Sequence, residues 1–221
     1  MDITCLSDCH GHLPQLEGGD LLIVAGDLTA SDKTLQYLSF FEWLQTQKYR
    51  KKVFISGNHD MQAMSQFDWG EANYLLDSGT EFEGLKIWGS PWTLSFPGMN
   101  PKCKAFTVDT EEELVAKWEL IPDDIDILVT HSPPYNIFDG VERYNQGEIE
   151  HCGSKSLCKW VANHCNSLKL HIFGHIHEGY GIYDIRKFQD QMKEPRTPVF
   201  VNASHVNERY RPVNKPIRID L

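Results

Sequence analysis

Five short apolar runs recur along most of the chain: Ile3–Leu6, Leu21–Val24, Val53–Ile55, Ile125–Val129 and Leu170–Phe173. Runs of this length between turn-forming residues read as buried strands. Helical spacing appears between them. In Ser31–Lys48 the positions Leu35, Leu38, Phe41 and Leu44 recur every three residues and predict an amphipathic helix with Ser31 as its N-cap. Glu111–Glu119 and Ser154–Asn166 predict two more helices, and Thr80–Trp88 a hairpin turning at Glu83-Gly84. Tyr180–Ile185, Val199–Val201 and Ile217–Ile219 read as further strands. Strands alternating with helices indicate an α/β layered fold. No repeat, low-complexity stretch or Pro/Gly/Ser-rich linker interrupts it, so residues 1–221 read as one domain.

Each of the five apolar runs is followed by polar side chains of metal-binding type. The first leads into Ser7-Asp8-Cys9-His10, the second into Gly26-Asp27, and the third into Gly57-Asn58-His59-Asp60. The fourth leads into Thr130-His131 and the fifth into Gly174-His175-Ile176-His177. Taken singly, most of these are ordinary turn sequences. Together they place ligand-type groups after five buried strands, and in open α/β sheets ligands bind at the carboxyl ends of strands. Asp8, His10, Asp27, Asn58, His131, His175 and His177 supply seven oxygen and imidazole donors. That exceeds the needs of one zinc and suits two divalent ions with room for water and substrate. With no thiolate required, the set fits Mn²⁺, Fe, Zn²⁺ or Co²⁺, with Mn²⁺ favoured.

Charge narrows the partners. The 221 residues carry a net charge of −10 and a pI near 5.4. Nucleic-acid polymers and anionic membrane surfaces both call for a basic face, so neither is expected as partner. The N-terminus lacks the features of a signal peptide, and no apolar run reaches the roughly 20 residues of a membrane span. The six cysteines, at positions 5, 9, 103, 152, 158 and 165, form no CxxC pair. They read as reduced thiols in a cytoplasmic protein, Cys158 and Cys165 on one helix face as core residues. Cys9, between two candidate ligands, should point away from them.

Asp8-Cys9-His10, Gly26-Asp27, Gly57-Asn58-His59-Asp60, Thr130-His131 and Gly174-His175-Ile176-His177, in this order, resemble the calcineurin-like metallophosphoesterase superfamily. Gly89–Thr93, Phe173–Gly181, Val201–Ser204 and the tail Asn214–Ile217 resemble the branch of metallophosphoesterase-domain-containing proteins and bacterial class III-type cyclic nucleotide phosphodiesterases. The resemblance implies a four-layer αββα sandwich, a double β-sheet flanked by helices. It also implies one metal on Asp8, His10 and His177, a second on Asn58, His131 and His175, and Asp27 as bridge, with a hydroxide between the ions as nucleophile. His59 would then protonate the leaving group or stabilise its charge. Asp60 either holds His59 in its protonated form or is simply a turn former. The stretch Gly26–Ala30 lacks the Asp-Arg-Gly of protein phosphatases, whose Arg grips phosphate, so that class is disfavoured. The expected activity is hydrolysis of a small phosphodiester such as a cyclic nucleotide. The alternatives are a phosphomonoesterase on nucleotides or phosphoproteins, and a catalytically silent metal-bound scaffold.

Further residues carry two readings each. His12 and His205 are substrate contacts or surface and packed histidines. Arg143 and His151 bind phosphate or lie in a solvated loop. Trp88, Trp92 and Phe96 stack a base or pack the hairpin.

Overall fold

Alternation along the strands sorts the apolar side chains into three layers of core. The computed structural model describes residues 1–64, 67–96, 99–142, 147–164, 167–184 and 198–221; Arg143 and Cys165 lie outside them. In chain order the strands are β1 (Asp2–Leu6), β2 (Gly19–Ala25), β3 (Tyr49–Ile55), β4 (Asn73–Tyr74), β5 (Ser78–Phe82), β6 (Leu85–Ser90), β7 (Thr93–Leu94), β8 (Thr107–Val108), β9 (Ile127–Thr130), β10 (Gly140–Glu142), β11 (Ile149–His151), β12 (Leu170–Phe173), β13 (Gly181–Tyr183), β14 (Val199–Asn202) and β15 (Ile217–Asp220). The helices are α1 (Thr34–Thr46), α2 (Glu111–Trp118) and α3 (Lys155–His164). One sheet runs β15-β1-β2-β3-β4 and the other β13-β14-β12-β9-β6-β5.

Ile3, Cys5, Leu21, Ile23, Val53 and Ile55 point from the first sheet into the space between the sheets, where they meet Ile127, Val129, Ile172 and Val201 of the second. The alternate residues Leu22, Val24 and Phe54 face outward and pack under α1. Leu128, Phe173 and Phe200 do the same on the far side under α2 and α3. A period of two on both sheets thus produces four layers, αββα, and each buried aliphatic contributes about 1.5–3 kcal/mol.

The helix over Ser31–Lys48 forms, but a different face is buried. Tyr37, Phe40 and Leu44 enter the core, whereas Leu35 is 76% and Leu38 43% exposed. The aromatics set the rotation. Phe40 packs edge-on against Phe54, with ring centroids 5.5 Å apart, and Tyr37 anchors its hydroxyl on Asp32 Oδ1 at 2.6 Å. Ser31 is not the cap: the N-cap is Lys33, without a side-chain bond, and Ser31 Oγ donates to Gln36 Oε1 instead. Thr110 and Glu113 close a capping box on α2, and Glu111 of that helix accepts the Lys155 and Ser156 N–H groups that start α3. In the β5–β6 hairpin Glu83 and Gly84 both have positive φ, as a type I′ turn requires.

Strands β1, β2 and β3 are parallel, as are β6, β9, β12 and β14, so their carboxyl ends gather on one side. The sheets are joined there. Ser7 N–H donates to the Ala203 carbonyl (2.9 Å) and His205 N–H to the Ser7 carbonyl (2.8 Å). Among the described residues no helix is long and apolar enough to cross a membrane.

Candidate metal centre

Four of the seven candidate ligands have left-handed backbone: Asp8 (φ 50°), His10 (φ 44°), Asp27 (φ 50°) and His175 (φ 68°). Non-glycine residues enter this region at a cost and persist where surrounding bonds hold them. Here Asp8 N–H donates to the Gly26 carbonyl and His10 N–H to the Asp27 carbonyl, both at 2.9 Å. Each sharp turn at a strand end aims a ligand inward. Cys9, between two such residues, points the opposite way and is fully buried under α1.

The seven donors fall into two groups. In the first, His177 Nε2 lies 3.3 Å from Asp8 Oδ1 and 3.3 Å from His10 Nε2. In the second, Asn58 Oδ1 lies 3.0 Å from His131 Nε2 and 2.9 Å from His175 Nδ1. Asp27 stands between them, with Oδ2 3.4 Å from His10 Nε2 and Oδ1 3.4 Å from His131 Nε2. Gly57 and Gly174 make room: a Cβ on Gly57 would collide with Asp27 Oδ1, and one on Gly174 with Asp8 Oδ2.

The chemistry of the donors calls for cations. His131 Nδ1 donates to the Ala25 carbonyl and His177 Nδ1 to the Asn207 carbonyl, each at 3.0 Å. Each ring therefore turns Nε2 inward, where it offers a lone pair once the ring is deprotonated. Asn58 Nδ2 donates to the Cys103 carbonyl at 3.0 Å, which turns Oδ1 inward as well. With the rings neutral, lone pairs would face lone pairs, so a proton or a cation has to stand between them. Burial pushes His10 down to about 4 and His175 down to about 3, so both rings are neutral, the form a metal ion requires. Burial also opposes charge on His131, but the Asp27 carboxylate prevails and pushes it up to about 9. Burial works against ionised Asp27 too, yet His131 and His59 hold it well below the usual carboxylate range. A pocket that draws a proton onto a fully buried imidazole fits a divalent ion better.

His59 sits at the edge of this centre. Its N–H donates to Asp27 Oδ1 at 2.9 Å, its Nδ1 to the Ala30 carbonyl at 3.1 Å, and its Nε2 lies 4.0 Å from Asp27 Oδ2. A donor atom of its ring also lies within 4.8 Å of those of His10 and Asp27. Asp60 does not hold His59, which corrects one of the two readings of that residue. Its carboxylate accepts from the N–H groups of Gly57, Leu28 and Thr29 at 2.9, 2.9 and 3.0 Å, and from Thr29 Oγ1 at 3.1 Å. Burial and then Asp27 push its pKa up to about 7, while these N–H donors stabilise the ionised form. Asp60 ties the loop after β2 to the loop after β3, fixing Asp27 relative to Asn58.

A cleft of about 650 Å³ opens onto the donors, lined also by Leu94, Phe96, Met99, Tyr135, His151 and Tyr210. His151 is oriented by buried Asp139, with Nδ1 2.7 Å from Oδ1. Of the candidate base-stacking aromatics only Phe96 faces the cleft. Trp92 donates to Asp77 Oδ2 at 2.7 Å beneath Lys117, and Trp88 packs against the outer core. His12 and His205 do not line the cleft; His205 donates to the Asn214 carbonyl at 2.8 Å.

Three supporting residues escaped the sequence reading as site components. Ser204 Oγ donates to Asp8 Oδ2 at 2.9 Å, the Asn207 carbonyl orients His177, and Tyr210 leans over the histidines. Ser204 lies in the Val201–Ser204 segment that supports the family resemblance; nothing in the sequence distinguishes Asn207 or Tyr210.

The calcineurin-like phosphoesterase family model matches residues 1–179. Metallophosphoesterase domain-containing protein 1 of Homo sapiens is 33% identical over 248 residues, an alignment covering 99% of this chain and 70% of that protein. A UPF0046 protein of Caenorhabditis elegans is 28% identical over 247 residues, covering 99% of this chain and 80% of its own. Among solved structures, TT1561 of Thermus thermophilus superposes with a TM-score of 0.54 at 16% identity, over 91% of this chain and 88% of that one.

Proposed function

We propose that this chain, which belongs to the calcineurin-like phosphoesterase family, hydrolyses a small phosphodiester with the help of two divalent ions. The observation that carries the reading is the division of seven inward-facing donors into two groups with Asp27 between them. Asp8, His10 and His177 would hold one ion, Asn58, His131 and His175 the other, and Asp27 both. Bound there, the ions would supply Lewis acidity toward the phosphoryl oxygens and an acidified water; Mn²⁺ is the ion we favour for this donor set.

The chain's own residues supply the rest. With Nδ1 fixed on the Ala30 carbonyl, His59 presents Nε2 to the cleft beside Asp27, where it can pass a proton to the leaving oxygen. Asp60 keeps the two ligand-bearing loops in register. The cleft is large enough for organic groups on both arms of a diester. Its lining includes Glu111, Glu150, Glu178 and Glu208 against Lys155, and this acidic excess disfavours a dianionic monoester more than a monoanionic diester. The five described cysteines are free thiols, which supports a reducing compartment such as the cytoplasm. A small substrate, rather than a nucleic-acid polymer or a membrane, suits the acidic chain.

The test is turnover by metal-stripped protein reloaded with Mn²⁺, Zn²⁺ or Fe²⁺ on paired phosphodiesters and phosphomonoesters. Metal-dependent turnover favouring diesters is expected. Preference for monoesters would reverse the specificity, and metal uptake without turnover would make the domain a binding scaffold.

A further inference from the structure

Tyr210 occupies backbone space that normally falls to glycine or asparagine. Its φ is 56°, left-handed, where a bulky side chain is disfavoured. Asn207 enforces the turn. Asn207 Oδ1 accepts the N–H groups of Arg209 and Arg211, both at 3.0 Å, and the Asn207 carbonyl accepts Tyr210 N–H at 2.8 Å. The same carbonyl accepts His177 Nδ1–H. One residue thus fixes a ligand ring and the tyrosine above it.

The tyrosine ring lies at the mouth of the centre. Its centroid is 4.9 Å from His10, 5.3 Å from His177 and 6.4 Å from His59, close to perpendicular to the first two. It lines the cleft and is 52% exposed, and its hydroxyl makes no hydrogen bond among the described residues. Strain at a position with little packing return points to a use for the side chain outside the fold itself.

Building on the phosphodiesterase reading, we infer that Tyr210 is a substrate-binding residue. Its hydroxyl donates a hydrogen bond to a non-bridging oxygen of a monoanionic phosphodiester seated beside Asp8, His10 and His177. A neutral donor suits a monoanion, since it adds no charge to reward a second negative one. Asn207 acts as the positioning residue, aligning Tyr210 with His177.

The test compares Mn²⁺-loaded wild type with Tyr210→Phe and Tyr210→Gly. A hydrogen bond to a charged group is worth about 10–100-fold. Tyr210→Phe should therefore lower kcat/KM for bis(p-nitrophenyl) phosphate by about that factor and weaken calorimetric binding of dimethyl phosphate by about tenfold or more, with metal content unchanged. Tyr210→Gly should show the same losses with Tm within about 2 °C of wild type, because relief of left-handed strain offsets lost packing. If Tyr210→Phe binds dimethyl phosphate as wild type does, the inference fails. Loss of metal, or of more than about 4 °C in Tm for Tyr210→Gly with dimethyl phosphate binding intact, would make the tyrosine structural. If wild type turns over no ester yet binding still falls in Tyr210→Phe, the binding role stands and the hydrolytic reading fails.

Discussion

His131 Nε2 lies 3.4 Å from Asp27 Oδ1, and both side chains are buried where the two sheets meet. The contact sets the electrostatics of the centre. Asp27 pushes His131 up to about 9 against the effect of burial, so without metal this pair carries a proton at neutral pH. A metal ion must displace that proton.

Metal affinity should therefore rise with pH. Below about 9 each lost unit of pH weakens binding by up to tenfold, because more of the apo protein holds its proton on His131. Titrations of Mn²⁺ at pH 6.5, 7.5 and 8.5 measure it, and binding should release a proton detectable in weakly buffered solution. Asp27→Ala should abolish tight binding of both ions and all turnover. Near-normal metal content in Asp27→Ala would remove it from the bridging position.

Two glycines with different surroundings separate crowding from strain. A Cβ on Gly57 would meet the Asp27 carboxylate and the His131 ring, whereas one on Gly84 meets nothing within 4 Å. Gly57→Ala should displace Asp27 and cost most of the bound metal and activity. Gly84→Ala, with φ 77° in the β5–β6 turn, should lose about 2–4 °C in Tm and keep its activity. Elemental analysis and melting curves on both variants check the contrast.

His171, outside the centre, should make the fold acid-sensitive. Thr130 Oγ1 donates to the Ser132 carbonyl at 2.6 Å, so His171 Nε2 must donate to Thr130 Oγ1, at 2.9 Å, and Nδ1 is left buried without a partner. Burial pushes its pKa down to about 3. The unfolded chain takes up this proton near pH 6.5 and the folded one does not, so the stability is full above pH 6.5 and is lost as pH falls toward 3. At pH 5 the loss amounts to about 2 kcal/mol. Urea unfolding of wild type and His171→Phe at pH 7.5 and 5 should show a gap in stability that shifts by that amount in favour of the variant.

What the sequence discloses follows from how local the cause is. Ile23 and Val53 alternate with Val24 and Phe54, so strand identity and both faces of the first sheet are readable from period alone. Asp8, Asn58 and His175 directly follow such strands, so their convergence is readable once the strands are parallel. The rotation of α1 is not, because Phe40 and Tyr37 are fixed by Phe54 and Asp32 rather than by helical spacing. Ser204, Asn207 and Tyr210 lie beyond the last parallel strand of the second sheet. Their roles depend on bonds to Asp8 and His177 that span 196 and 30 positions of the chain.

Adjacent His59 and Asp60 should respond to mutation in opposite ways. Among the described residues the His59 ring meets the Ala30 carbonyl, the Tyr210 ring and the edge of the centre, so His59→Ala should leave fold and metal content near normal. As proton donor it should contribute about 10²–10⁴-fold, unequally across substrates. A nitrophenolate leaves with little protonation, so aryl diesters should suffer least; an alkoxide needs a proton, so alkyl and nucleoside diesters should suffer most. Asp60 is buried and accepts four hydrogen bonds from three residues, so Asp60→Ala leaves those donors without a partner and should lower stability by about 3 kcal/mol or more. Its activity should fall through displaced Asp27, equally on aryl and alkyl esters and together with bound metal. Kinetics of both variants on one aryl and one alkyl diester, with metal analysis and melting curves, decide the assignment. Equal losses on both esters for His59→Ala would make it an electrostatic rather than a proton-donating residue. A leaving-group dependence in Asp60→Ala with metal intact would return Asp60 to the proton-transfer path.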